Sequence, residues 1–177
     1  MAQKEGVARV IYLGTFSKVM FPALRLGYLV IPEDLVSSFC AVREAMDIFA
    51  PTLTQAALGD FISEGHFARH LRRMRLIYER RRRELVRAIA ASFGDGARVI
   101  GIEAGMHLAL RLADGCDDVD VARRASIEGL SVIPLSSCFL GEPSMVGLVL
   151  GYGSVDEKEI APAVDRLARV VEASLRC

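Results

Sequence analysis

The 177 residues carry 22 Lys and Arg against 22 Asp and Glu, a formal net charge of zero, so the chain as a whole exerts no pull on nucleic acid or an anionic membrane. Apolar residues make up 52% and charged residues 25%, globular values that exclude a disordered or fibrous chain; the slight apolar excess reads as surface meant to meet further polypeptide or a dimer partner. Charges interrupt every apolar stretch, and Cys40, Cys116, Cys138 and Cys177 stand far apart, so a membrane span, a zinc site and a disulfide scaffold are all excluded and the thiols read as those of a reduced, cytoplasmic protein.

The first elements carry the chemistry. Val10 to Leu13 reads as a strand that runs into Gly14, Thr15, Phe16 and Ser17, presents Lys18, and is followed by Pro22, Arg25 and a second apolar strand from Leu26 to Ile31. A lysine can hold an aldehyde cofactor through a Schiff base if its amine spends time neutral, which desolvation between apolar neighbours would favour. A dianionic phosphate on the same cofactor wants hydroxyl donors and a planar guanidinium, and Thr15, Ser17 and Arg25 supply that set. Pyridoxal 5'-phosphate satisfies both demands. The competing reading makes Lys18 and Arg25 solvated charges beside a core strand; the flanking hydroxyls and the second strand weigh against it. The string is not a Walker loop, because the second glycine before the lysine is missing.

Pro32, Glu33 and Asp34 open a helix with Leu35, Phe39, Val42 and Met46 on one face, broken at Ala50, Pro51 and Thr52. A shorter helix runs from Leu53 to Ser63 with Gly65 in a C-cap position. A long amphipathic helix follows from Phe67 to Ser92, with Leu71, Tyr78 and Leu85 seven residues apart beside Phe67 and Met74. Its outer surface is crowded with arginines, including Arg80 to Arg83, but Glu79 and Glu84 bracket the run and no stacking aromatics accompany it, so a solvated face is favoured over a nucleic-acid site. Ala97 to Gly101 and Met106 to Leu112 read as strands joined by a turn; His107, Ala109 and Arg111 alternate with Leu108, Leu110 and Leu112. Asp117 and Asp118 cap a helix that stops at Gly129, Leu130 to Pro134 and Gly147 to Tyr152 supply two more strands, and Ser154 with Glu157 forms a capping box for a last helix lined by Ile160, Val164, Leu167, Val171 and Leu175. Pro162 predicts a kink in it or a start one turn later. His66, His70 and His107 lack metal spacing, and Ser136 to Cys138 lacks a nucleophile elbow.

The stretch GTFSKVMFPALRLGYLVIP resembles the lysine motif of fold-type I, class I/II aminotransferases, and above all the aminotransferase-like domain of MocR-type regulators of the GntR family, in which such a domain follows a winged-helix DNA-binding domain. PTLTQAALGDFISEGHFARHLRRMRLIYERRRREL, GMHLALRL and GLVLGYGSV extend the resemblance over nearly the whole chain. It implies that Lys18 is the Schiff-base lysine and that Thr15, Ser17 and Arg25 bind the cofactor phosphate. It also implies a homodimer and an α/β fold: residues 1–50 as a remnant of the large cofactor-binding domain, and 51–177 as an α+β small domain, a mainly antiparallel sheet with helices on one face. The family's phosphate loop, its ring-stacking aromatic and the aspartate on the pyridine nitrogen come before the lysine motif, so the chain is expected to be the C-terminal part of a longer protein. Many aminotransferases place an arginine that grips the substrate carboxylate where this chain has Val149.

Three functions remain in play: the effector-sensing part of a regulator that binds the cofactor and an amino acid or amine and meets DNA only through another domain; part of a free-standing amino-acid aminotransferase; or a structural domain inactive by itself.

Overall fold

A computed structural model describes residues 10–47, 51–101 and 105–175. The expected break at Ala50, most of the turn between Gly101 and Gly105, and Cys177 lie outside them. The chain divides into two compact units, Met1–Arg72 and Arg73–Cys177.

The first unit opens with β1 (Tyr12–Thr15) and β2 (Gly27–Val30), an antiparallel pair in which Tyr12 faces Val30 and Thr15 faces Gly27. Tyr28 lies across Gly14, where any Cβ would run into its ring. A Cβ at Gly27 would sit 2.9 Å from the Gly14 carbonyl oxygen, so Gly27 is dictated by close backbone approach rather than by turn chemistry, whereas at Gly14 the exposed Tyr28 ring could swing aside. Glu33 to Leu35 forms a 3-10 turn and the helix expected from Pro32 begins as α1 (Val36–Met46). The helix α2 (Thr52–Ser63) ends as predicted: Gly65 takes φ 76°, and its N–H reaches the Ile62 carbonyl at 3.0 Å. Among the described residues, Leu26 and Leu58 are the buried apolar side chains of this unit.

The helix α3 (His66–Phe93) spans 28 residues. Past Arg73 it turns Leu85, Ala88 and Ile89 into the core of the second unit. That unit holds an antiparallel sheet of β3 (Arg98–Ile100), β4 (His107–Arg111), β5 (Ile133–Pro134) and β6 (Gly147–Gly151) in the order β3-β4-β6-β5. Leu108 and Leu110 of β4 and Leu148 and Leu150 of β6 pack against α4 (Asp118–Ile127) and α5 (Glu157–Leu175) through Val121, Ala125, Ile160, Val164, Leu167 and Val171. Each such leucine contributes about 1.5–3 kcal/mol by leaving water. Helices on one face of an antiparallel sheet are what the alternation on β4 predicts.

Three local expectations change. The strand from Leu130 shrinks to Ile133–Pro134, because Leu130 is spent on the end of α4, where its N–H bonds the Ala125 carbonyl at 2.9 Å. The cap of α5 is Asp156 rather than Ser154: the Asp156 carboxylate accepts from the Lys158 N–H at 3.1 Å, since Glu157 already stands in the first helical position. The helix begins there and continues through Pro162, so a start one turn later is not found.

Candidate functional site

The residues singled out for cofactor chemistry sit in one place, the connection 16–26 between β1 and β2 and the last residue of β1. The ladder ends where Thr15 faces Gly27, and the Phe16 N–H then bonds the Leu26 carbonyl at 3.1 Å, so Ser17 and Arg25 both emerge at the same end of the hairpin. Ser17 donates its N–H to the Thr15 Oγ1 at 3.1 Å. The chain then turns through Lys18, with the Met20 N–H on the Phe16 carbonyl at 2.8 Å. From α3, the His70 imidazole reaches the Val19 carbonyl at 2.9 Å. Because a carbonyl only accepts, Nε2 carries the proton. Rings line the same route: Tyr12 beside Tyr28 at 5.9 Å, Tyr28 beside Phe16 at 5.4 Å, and Phe16 edge-on to Phe67 at 5.8 Å. Each such pair is worth about 0.5–1.5 kcal/mol beyond its burial.

Pro22 to Leu24 forms a 3-10 turn whose C-cap is Arg25, at φ 51° and ψ 32°. Arg25 is the one non-glycine residue with positive φ among those described. A left-handed arginine costs about 1–2 kcal/mol, and such strain persists where the surroundings over-determine it.

Lys18 and Arg25 are exposed, and among the described residues neither side chain has a hydrogen-bond or ion-pair partner. The expected desolvation of Lys18 is therefore absent from this chain: its apolar neighbours Val19 and Phe21 are themselves exposed and wall nothing off. One amine, one guanidinium and two hydroxyls, with no carboxylate between residues 15 and 26, still make a donor set that suits a phosphorylated aldehyde. The Thr15 oxygen accepts from Ser17, which leaves its own hydrogen to donate outward.

Val149 lies at the centre of the sheet face opposite the helices. It pairs with Ala109 and with Ile133, and Ala109 pairs with Ile100, so one apolar row crosses all four strands without a cation. Arg98 and Arg111 oppose one another in the neighbouring row, Arg111 being 3.3 Å from Asp114. His107 lies over Gly151 on this face. His66 bonds Glu64 at 3.1 Å and Arg69 at 2.7 Å, and its ring stacks on Phe61.

A buried carboxylate escaped the sequence reading. Asp117 caps α4 through the Val119 and Asp120 N–H groups, but Asp118, 2% exposed, turns inward. It accepts from the Ser136 N–H at 2.9 Å, the Ser136 hydroxyl at 2.5 Å and the Gly147 N–H at 2.9 Å, tying the loop after β5 to the start of β6. Beside it, burial and the neighbouring Asp118 and Asp117 carboxylates push the Cys116 thiol above its ordinary pKa.

Residues 2–167 match the family model for aminotransferases of class I and II. The chain belongs to that family. This aminotransferase-family chain is 39% identical over 159 residues to the probable rhizopine catabolism regulatory protein MocR of Rhizobium meliloti, covering 90% of the chain and 32% of the regulator. It is 28% identical over 175 residues to 2-aminoadipate transaminase of Thermus thermophilus, covering 99% of the chain and 44% of that enzyme. In structure it matches the α-aminoadipate aminotransferase LysN of Thermus thermophilus, solved with N-(5'-phosphopyridoxyl)-L-leucine, with a TM-score of 0.83 and 28% identity over 94% of the chain and 42% of LysN. The chain thus shares the fold of part of these proteins and spans about a third of the length of the regulators it matches. Among the described residues, no helix is long and apolar enough to cross a membrane.

Proposed function

We propose that this chain is the effector-sensing, aminotransferase-like part of a MocR-type transcription regulator and that it holds pyridoxal 5'-phosphate on Lys18. The hairpin connection carries this reading: a lone amine and a lone guanidinium, the latter in a strained backbone pose, stand within a span matched to the family. When bound, the cofactor supplies an aldehyde that condenses with a primary amine and a ring that withdraws electrons. Lys18 provides the amine. Arg25 would hold the phosphate through the paired N–H groups of its guanidinium, and the Thr15 and Ser17 hydroxyls would donate to it as well. The parent works in the cytoplasm as a homodimer, with its apolar hairpin faces covered by the rest of the polypeptide, and meets DNA through a separate domain. This chain by itself holds the cofactor weakly, because Lys18 and Arg25 both stand exposed to water.

Similarity to the transaminase over 99% of the chain favours a second reading, a free-standing amino-acid aminotransferase. The apolar row through Val149 opposes it, since a substrate carboxylate placed there meets no cation. The test uses the whole protein. With cofactor it should show a visible band and a borohydride-trapped adduct on Lys18, both lost in Lys18→Ala; a band that survives this substitution removes Lys18 from the role. A regulator then changes its affinity for DNA on adding an amine, whereas steady turnover of an amino acid with a 2-oxo acid identifies the enzyme.

A further inference from the structure

We infer that His70 is a positioning residue for Lys18, an assignment that rests on the Schiff-base reading of that lysine. The backbone around Lys18 is held at two peptide units. Ahead of it, the peptide joining Phe16 to Ser17 is fixed by the Ser17 N–H on the Thr15 Oγ1 at 3.1 Å. Behind it, the peptide joining Val19 to Met20 is fixed at both ends: its N–H donates to the Phe16 carbonyl at 2.8 Å and its C=O accepts from His70 at 2.9 Å. Only Lys18 and its two immediate peptide links lie between these anchors.

Two of the three bonds are local to the turn and form wherever the turn forms. The bond from His70 spans 51 residues and comes from a rigid helix, so it alone refers the turn to a frame outside itself. Phe67, one turn earlier on α3, packs edge-on against Phe16 and supports the same contact without specifying the peptide's orientation. An exposed lysine side chain gains no direction from packing. Its reach toward a bound aldehyde is set by the backbone from which it starts, and a displacement of about 1 Å costs up to about 100-fold in a reaction that depends on alignment. The half-buried His70 therefore acts on the amine without touching it.

The experiment compares His70→Phe, which keeps a planar ring and loses both nitrogens, with His70→Gln, which places an amide N–H at similar reach. Whole apoprotein is mixed with pyridoxal phosphate, and the growth of the visible band, its pH midpoint and borohydride trapping at Lys18 are followed. Amide exchange of residues 16–20 is measured without cofactor. His70→Phe should slow band formation about 10-fold, move the pH midpoint and speed exchange at Met20, while still trapping at Lys18; His70→Gln should restore all three. Equal rates, midpoints and exchange in wild type and His70→Phe overturn the assignment, as does equal impairment of both variants, which marks a packing role. Absence of any Lys18 adduct in wild type overturns the Schiff-base reading itself and this inference with it.

Discussion

The two units of this chain treat the same kind of side chain in opposite ways. Between Arg73 and Cys177, leucines of β4 and β6 are buried, Leu110 and Leu148 at 0% exposure. Before Arg72, Leu13 is 74% exposed, and the adjacent Leu29 and Val30 of β2 are both open, although neighbours on a strand point to opposite faces. A hairpin apolar on both faces has the pattern of strands buried on both sides of a larger sheet, and an isolated two-stranded pair is marginal in water. Composition alone does not separate the two units. The second has helices to lay on its sheet; the first is a surface shaped for something else.

Substitutions can break this contrast, and the largest effect is expected in the closed core. Leu110→Ala should cost about 2–5 kcal/mol in urea unfolding, whereas Leu13→Ala should change this chain by less than about 0.5 kcal/mol and cost more in the whole protein. Equal effects of Leu13→Ala in the two contexts would show that the hairpin face stays open. Asp118→Ala, which strands the Ser136 and Gly147 donors, should cost about 3 kcal/mol, against about 1 kcal/mol for Asp117→Ala, which removes a cap only. Arg25→Gly should stabilise the first unit by about 1 kcal/mol through relief of the left-handed strain, while weakening pyridoxal phosphate binding in the whole protein at least about 10-fold. Alkali gives a smaller signal. Burial raises the pKa of Cys116 above 9.0 and of Tyr152 above 10.0, so the folded state keeps protons that the unfolded state loses, and the melting temperature of the second unit should fall as pH rises past about 9. Cys116→Ala should flatten the first part of that decline in a calorimetric series.

What was legible in the sequence was whatever depends on near neighbours. The seven-residue spacing of Leu71, Tyr78 and Leu85, about two helical turns, and the alternation from Leu108 to Leu112 placed α3 and β4 within a residue or two of their observed ends. Family resemblance located the hairpin connection. Contacts between distant residues stayed hidden: Asp118 meets Ser136 and Gly147 across 18 and 29 positions, and His70 meets Val19 across 51. For Asp118 a signal existed, since 118, 121 and 125 share one helical face and put its carboxylate on the same side as Val121 and Ala125. The exposure of Lys18 was missed for another reason: apolar neighbours in sequence become a wall only when something packs on them.

The row from Ile100 through Ala109 and Val149 to Ile133 takes one residue from each strand, and its side chains point away from the leucines that hold the sheet to its helices. Those four positions can be randomised together while the scaffold beneath stays intact. A library built on them in the whole protein tests whether this face has any part in choosing a small molecule.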